Sequence, residues 1–242
     1  VGGLRERDDA GLGRPVEVVE DVAEEVVGDD HLVRLGLADQ AHRQRVLGDA
    51  VGPQAQAELI EVDVAGFDNR LPESNPAMPF QWTINPYRGC EFGCKYCYAR
   101  YTHEFMELRN GIEFEKKIYA KENVARILRR ELTPDRVAGA EIAIGTATDP
   151  YQPAERKFKV TRQILETLAL ASGLKFSITT KSDLVLRDLA LLKTISKRNR
   201  VQVSLSITTT DEKLARLLEP RAPRPDLRFH AVRTLVENGV TA

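Results

Sequence analysis

The stretch Asn85–Phe105, NPYRGCEFGCKYCYARYTHEF, contains all three cysteines of the chain, Cys90, Cys94 and Cys97. Cysteines that only fill a core fall on separate elements, whereas the spacing Cys-x-x-x-Cys-x-x-Cys lets one short loop direct three thiolates to a common point. Thiolates are soft ligands that favour an iron–sulfur cluster or zinc. Because a closed cubane cluster or tetrahedral zinc site takes four ligands, three cysteines leave one metal position open or filled from elsewhere.

Two other uses of these cysteines have to be weighed. His103 follows Cys97 by six residues, and zinc accepts three cysteines and one histidine, so a non-catalytic zinc- or cluster-binding module is the alternative hypothesis. A disulfide is disfavoured, because the number of cysteines is odd and residues 1–30 show no basic-then-apolar export signal.

The motif Cys90-x-x-x-Cys94-x-Tyr96-Cys97 resembles the signature of the radical SAM enzymes, which place an aromatic residue before the last cysteine. Four later stretches narrow the resemblance to the radical SAM proteins related to spore photoproduct lyase, the group with NPYRGCEHGC-type loops. The resemblance covers residues 81–242. The later stretches are GTATDPYQPAE, TTKS, SLSITT and LEPRAPRP.

This resemblance implies that Cys90, Cys94 and Cys97 hold a four-iron four-sulfur (4Fe-4S) cluster, and that S-adenosyl-L-methionine binds the iron without a cysteine. It further implies an external one-electron reductant of the flavodoxin or ferredoxin type, and a 5′-deoxyadenosyl radical that abstracts hydrogen from a substrate. The sequence leaves the substrate open, with a nucleic-acid-related molecule as one candidate.

The resemblance also assigns cofactor contacts outside the cysteines. Tyr96 corresponds to the aromatic that packs near adenine, and Thr146 and Thr148 lie where the superfamily contacts the methionine amino group. Lys181 and Ser206 correspond to residues that face the cofactor in spore photoproduct lyase. The alternative for Tyr96 is an ordinary core aromatic without a cofactor role, and the alternative for Lys181 is a solvated side chain.

Two further points concern arginines and the hydrogen donor. Arg221 and Arg228 flank the LEPRAPRP turn and could hold a carboxylate or a phosphate, with a plain surface arginine as the alternative.

Spore photoproduct lyase has an additional cysteine at the end of its second strand that returns hydrogen to the product. The corresponding stretch here contains none, so that repair of the same photoproduct is doubtful unless a tyrosine such as Tyr151 replaces the donor.

The periodicity after the cysteine loop alternates between strands and helices, which calls for an α/β fold with a parallel sheet and right-handed crossovers. The resemblance implies a partial (βα)6 TIM-like barrel of the radical SAM type, here truncated after about four units, because residues 239–242 look like the opening of a fifth strand. The predicted strands are 81–87, 141–149, 175–180 and 201–208, and the predicted helices are 121–132, 161–171 capped by Thr161, 184–197 capped by Asp183, a short one after Asp211 and 225–239.

The chain ahead of this region has a different composition. Its first 66 residues contain 15 Asp and Glu but 6 Arg, a net charge of −9, so that residues 67–242 carry +8 of the total of −1. The first aromatic is Phe67, and a segment without aromatics has little with which to anchor a core. We therefore predict a poorly ordered extension over 1–66, a linker rich in Asn, Pro and Ser over 67–80, and a core domain over 81–242.

No apolar run approaches the length needed to span a bilayer. A cytoplasmic enzyme without a membrane partner is therefore the expectation, and that reducing compartment suits an oxygen-sensitive cluster.

Overall fold

The computed structural model describes residues 58–61, 69–70, 79–106 and 111–242. The prediction of a poorly ordered extension therefore lies largely outside the described residues. Two short strands fall inside the segments assigned to the extension and the linker, at Glu58–Glu61 and Asn69–Arg70.

Within the described ranges, the predicted alternation of strands and helices is present, with additional short elements between the predicted ones. The strands are β1 (Glu58–Glu61), β2 (Asn69–Arg70), β3 (Trp82–Ile84), β4 (Tyr87–Arg88), β5 (Lys117–Ala120), β6 (Glu141–Ile144), β7 (Lys175–Thr180) and β8 (Arg200–Leu205). The α-helices are α1 (Glu113–Lys116), α2 (Val124–Glu131), α3 (Pro134–Val137), α4 (Glu155–Phe158), α5 (Val160–Leu168), α6 (Leu189–Ser196), α7 (Glu212–Leu218) and α8 (Pro225–Glu237). Two 3-10 helices span Tyr98–Met106 and Asp183–Asp188.

The larger sheet has the order β2-β3-β6-β7-β8. Its last four strands are mutually parallel, and β2 is antiparallel to β3 at one edge. After α8 the chain returns to the sheet, where Thr241 bridges Gln202 in parallel and its carbonyl accepts the Val203 N–H at 2.8 Å. The predicted parallel sheet is confirmed, and the start of a fifth parallel strand lies beside β8.

The main core lies between this sheet and the helices that connect its strands. Strand β7 alternates, with Phe176 and Ile178 buried, while β6 buries three consecutive residues, as expected for a strand covered on both faces. Helices α2, α5, α6 and α8 contribute their apolar residues to the same core. None of the helices within the described residues is long and apolar enough to cross a membrane.

The predicted strand 81–87 is split in two. β3 lies in the larger sheet, whereas β4 pairs antiparallel with β5 in a smaller sheet of order β1-β5-β4. The break falls at Asn85 and Pro86, because proline has no N–H to donate and the Asn85 side chain bonds across to Thr146 and to the Ala147 N–H. The chain therefore leaves the large sheet just before the cysteine loop.

Two predicted helix caps are wrong. Helix α5 begins at Val160, so Thr161 lies inside it and donates its hydroxyl to the Pro150 carbonyl. The predicted helix 184–197 is a 3-10 turn followed by α6, and the cap is the Ser182 hydroxyl, which accepts from the Leu184 N–H at 3.3 Å. The short helix predicted after Asp211 is confirmed, and the Asp211 carboxylate caps it by accepting two N–H groups of α7.

Candidate functional site

The cysteine loop starts directly after β4, close to the ends of the parallel strands β3 and β6. Cys90 and Cys94 are buried and Cys97 is half-buried. They pack with Phe92 and Phe114 in a small apolar cluster separate from the main core. The fold therefore brings the three thiols together in an environment shielded from water.

The thiols border a recess with about 180 Å³ of free space, part of it open to solvent. Burial, with Asp149 nearby, raises the pKa of Cys90 well above its ordinary value, and burial raises the pKa of Cys94 to about 11. A cationic metal centre reverses this preference, because it stabilises thiolates. The recess is lined by Cys90, Gly93, Cys94, Cys97, Arg100, Phe114 and Glu115.

The donor set fits an iron–sulfur cluster, because it consists of soft thiols in a mostly apolar pocket. Within the described side chains, no group of three His, Cys, Asp or Glu is arranged to hold a single metal ion. The zinc alternative needs His103, whose side chain lies outside the part that the structure describes.

One side of the loop is held by Gln152, which has no exposed surface. Its amide nitrogen donates to the Gly89 carbonyl at 3.1 Å, and its amide oxygen accepts the Glu91 N–H at 3.0 Å. The Thr148 hydroxyl donates to the same Gly89 carbonyl at 2.6 Å and accepts from Gln152 at 3.0 Å. Both residues that flank Cys90 are thus fixed by side chains of the GTATDPYQPAE stretch.

The opposite side is held by Glu115 and two arginines. The Glu115 carboxylate pairs with Arg100 at 2.5 Å and with Arg221 at 2.7 Å, and Arg221 also donates to the Glu91 carbonyl. A side chain at Gly93 would put its Cβ 2.6 Å from the Arg221 guanidinium. The absence of a side chain there is therefore a requirement of this packing.

Tyr96 lies between Cys94 and Cys97 in the loop and is 49% exposed, and we call the surface around it the open rim. Its hydroxyl donates to Glu219 and lies 2.9 Å from the Thr208 hydroxyl, which itself donates to Glu219 at 2.7 Å. The Lys181 ammonium lies 5.8 Å from the centroid of the ring. Burial alone lowers the pKa of Lys181, but Cys94 and the groups around it outweigh burial and raise it, so that a cation stands beside the recess at neutral pH.

Behind this rim, Glu219 and Arg228 form a buried ion pair at 2.6 Å, with both side chains 1% exposed. Arg228 also donates to the carbonyls of Pro223 and Ser206. The pair thus joins the turn after α7, helix α8 and the end of β8.

Asp149 organises the ends of β6 and β7. Its buried carboxylate accepts the Thr180 hydroxyl at 2.6 Å, the Lys181 N–H at 2.7 Å and the Tyr151 N–H at 2.9 Å. Burial raises its pKa above the ordinary value even though these hydrogen bonds lower it. Asp149 therefore places the backbone from which the Lys181 side chain reaches the rim.

A second buried network lies below the loop and centres on Glu155, which has no exposed surface. Its carboxylate accepts the Tyr87 hydroxyl at 2.5 Å, the Thr161 and Arg162 N–H groups, and the Arg187 guanidinium at 2.6 Å. Burial, reinforced by this carboxylate, raises the pKa of Tyr87 well above its ordinary value. Glu155 thus caps α5 and ties β4 to the turn after β7.

The Radical SAM superfamily sequence model matches residues 84–242, about two thirds of the chain. The chain belongs to the radical SAM superfamily. An uncharacterized protein of Mycobacterium tuberculosis is 38% identical over 172 residues, and one of Methanocaldococcus jannaschii is 36% identical over 160 residues. The matches cover 71% and 66% of this chain but 50% and 57% of those proteins, so this radical SAM chain spans about half of their length.

Solved structures of spore photoproduct lyase share the fold of this radical SAM chain. One variant matches with a TM-score of 0.53 at 15% identity, covering 76% of this chain and 49% of that protein. A complex of the lyase with dinucleoside spore photoproduct matches with a TM-score of 0.51 at 16% identity, over 76% of this chain and 49% of that protein. At these identities the likeness concerns the fold.

The residues expected to contact the cofactor fall into two groups. Tyr96 and Lys181 lie together at the open rim, and Ser206 directly follows strand β8, where its carbonyl accepts from Arg228. Thr148 and Arg221 instead hold the cysteine loop through the bonds described above.

Three other residues with predicted functional roles make contacts inside the protein or at a strand end. The Thr146 hydroxyl bonds with Asn85, and its carbonyl accepts the Tyr98 hydroxyl. Arg228 is not a surface arginine, since its guanidinium is bound within the protein. Tyr151, suggested as a replacement hydrogen donor, is 1% exposed inside the main core, and that role stays a prediction.

Sequence reasoning missed Gln152, Glu115 and Glu219. Gln152 and Glu219 stand inside the GTATDPYQPAE and LEPRAPRP stretches that carried the resemblance, which was the available signal. Glu115 had no such signal, because its two arginine partners lie 15 and 106 positions away.

Proposed function

We propose that this radical SAM enzyme holds a 4Fe-4S cluster on Cys90, Cys94 and Cys97 and binds S-adenosylmethionine at the iron that has no cysteine. The observation that carries the proposal is that the chain contains three cysteines in all, and that all three border one recess. When bound, this pair of cofactors supplies reductive cleavage of the sulfonium and a 5′-deoxyadenosyl radical that abstracts hydrogen from the substrate.

The residues of the chain bind, orient and exclude water, as proteins do around cofactors that carry the reactivity. Phe92 and Phe114 keep solvent from the thiols. Gln152 and Arg221 hold the two sides of the loop, so that the thiols are arranged before a cofactor arrives.

The open rim is the proposed place for S-adenosylmethionine. The exposed Tyr96 ring offers a flat surface for adenine, and the Lys181 cation offers a charge partner for the methionine carboxylate. Ser206 and Thr146 stand at the ends of β8 and β6, within the same edge of the sheet, and are proposed to contact the cofactor through hydroxyl or carbonyl groups. Thr148 and Arg221 are proposed to act through the loop they hold.

The reductant is proposed to be a small flavodoxin or ferredoxin, since the cluster needs one electron at a time. A nucleic-acid-related substrate is supported by the charge of +8 on residues 67–242 and by the shared fold with a lyase that binds a dinucleoside photoproduct. Solvated basic surfaces give such a charge as well, so the substrate class stands second to the cofactor proposal.

The test is formation of 5′-deoxyadenosine. Protein reconstituted with iron and sulfide without oxygen is reduced with dithionite, given S-adenosylmethionine, and analysed by mass spectrometry. We expect 5′-deoxyadenosine from the wild type and none from Cys94→Ala, while Lys95→Ala, an exposed neighbour in the same loop, keeps activity. A wild-type protein that holds iron yet yields no product above the Cys94→Ala background would refute the proposed activity and leave a cluster-binding module.

A further inference from the structure

We infer that Glu219 is a positioning residue that fixes the exposed Tyr96 ring and thereby sets the affinity for the adenosine part of the cofactor. This inference rests on the proposed function and deepens it. Glu219 is not among the residues that line the recess, and it acts through the phenol of Tyr96.

The first observation is that the two carboxylate oxygens of Glu219 bind different partners. Oε1 accepts the Tyr96 hydroxyl and the Thr208 hydroxyl, the latter at 2.7 Å, whereas Oε2 pairs with the Arg228 guanidinium at 2.6 Å. Because Arg228 holds Oε2, the carboxylate cannot rotate without breaking an ion pair that is buried on both sides. Oε1 is therefore a fixed acceptor.

The second observation is that the ring held by this acceptor is itself half exposed. An exposed tyrosine normally samples several rotamers. A ligand that needs one of them has an apparent affinity reduced in proportion to the fraction of time that the ring spends in that rotamer. A phenol anchored to a fixed carboxylate and a neighbouring hydroxyl removes that cost before the ligand arrives. The Lys181 ammonium lies over the ring, 5.8 Å from its centroid, which limits the movement of the ring further.

The third observation is that the same ion pair reaches a second residue of the proposed pocket. Arg228 donates to the Ser206 carbonyl at 2.9 Å, at the end of β8. One buried pair thus sets both a residue of the cysteine loop and a residue of the sheet edge.

The experiment measures binding of S-adenosylmethionine to the reconstituted protein by equilibrium dialysis, together with iron content. We expect Tyr96→Phe and Glu219→Gln each to weaken binding about five- to tenfold, the usual effect of one lost hydrogen bond, with iron content unchanged. The double variant should be no weaker than Tyr96→Phe alone, because the phenol through which Glu219 acts is then already absent. Glu212→Gln, the same change at an exposed acid on the neighbouring helix, should leave the affinity as it is.

A cofactor-free readout separates this inference from the proposed function. In protein labelled with fluorotyrosine, the fluorine NMR signal that disappears in Tyr96→Phe belongs to Tyr96. Glu219→Gln should move this signal toward the position of a freely solvated tyrosine, and Glu212→Gln should not. If the signal moves but the wild type binds no S-adenosylmethionine, the ring is held as inferred and the proposed function fails.

If the wild type binds the cofactor and Tyr96→Phe binds it equally well, the inference is overturned. Additive losses in the double variant would overturn it too, because they would show that Glu219 acts by another route. Glu219→Gln leaves Arg228 buried without its partner and is the variant most prone to misfold. Tyr96→Phe and Thr208→Val keep that pair intact, and they carry the test even if Glu219→Gln does not fold.

Discussion

Gln152→Met is expected to loosen the cysteine loop and to lower its capacity for iron. The substitution keeps an unbranched side chain of similar length in a site with no exposed surface. It removes the amide that bonds to the residues on both sides of Cys90. The effect therefore reports on the hydrogen bonds more than on packing.

The magnitude follows from what each partner retains. The Gly89 carbonyl keeps the Thr148 hydroxyl at 2.6 Å, so the loss there is that of an ordinary hydrogen bond, about 0.5–1.5 kcal/mol. The Glu91 N–H has Gln152 as its acceptor and loses it, which costs about 1–3 kcal/mol for an unsatisfied donor. We expect the free energy of unfolding to fall by about 1.5–4.5 kcal/mol in total.

The assay is urea unfolding of the apoprotein, paired with iron content after reconstitution under identical conditions. The matched control is Gln163→Met in α5, which removes one hydrogen bond to the Phe158 carbonyl, away from the loop. This control should cost about 0.5–1.5 kcal/mol and leave iron content unchanged. If Gln152→Met unfolds like the wild type and holds the same iron, the Cys90 segment does not depend on Gln152 and the reasoning is refuted.

Three further predictions concern stability. Glu155→Gln removes the charge from a buried carboxylate that holds an arginine, and urea unfolding should show a loss of about 3–5 kcal/mol, against less than about 0.5 kcal/mol for the exposed Glu166→Gln. Gly89→Ala puts a Cβ 2.6 Å from a backbone oxygen at a φ of 83°, so its melting temperature should fall well below that of Gly139→Ala, where φ is 72° but no atom lies within 4 Å. Burial alone raises the pKa of Glu219, but its hydroxyl and guanidinium donors outweigh burial and lower this pKa below the ordinary 4.5. The stability that ionised Glu219 provides is therefore present above pH 4.5 and is lost as the pH falls through the lowered pKa. Unfolding free energies of the wild type and Glu219→Gln, measured from neutral to acidic pH, should converge in this window, and parallel curves would contradict the assignment.

Periodicity predicted the elements whose contacts are local or regular. Strand β7 has the predicted bounds, 175–180, because its alternation matches burial on one side at a time. Asp211 lies at the start of α7 and Gly239 just after the end of α8, as their residue types indicate, with Gly239 at a φ of 75°. These features depend on neighbours a few positions away, which a single sequence displays.

The errors arise where distant residues compete with local ones. Thr161 has the side chain of a helix cap, but the Glu155 carboxylate reaches its N–H and the hydroxyl turns to the Pro150 carbonyl. Arg228 looks like a surface residue of an exposed turn, yet it is paired inside the protein with Glu219. No local pattern specifies such partners, because the fold alone decides which groups meet.

The cysteine loop was the strongest signal in the sequence, but the side chains that hold the loop in place were not predicted. Spacing gave the three thiols, while Gln152 on one side and Glu115 on the other emerged from contacts across 61 and 106 positions. The short β1–β5–β4 sheet was missed for the same reason, since its strands span four residues or fewer and show no period.

The most direct test of the central claim combines metal content with electron paramagnetic resonance of the reduced protein, before and after addition of S-adenosylmethionine. Three cysteines around one recess predict about four irons and four sulfides per chain, a brown protein, and a spectrum that changes when the cofactor occupies the open iron. Colourless protein that retains one zinc per chain and shows no cluster signal under oxygen-free conditions would contradict the account.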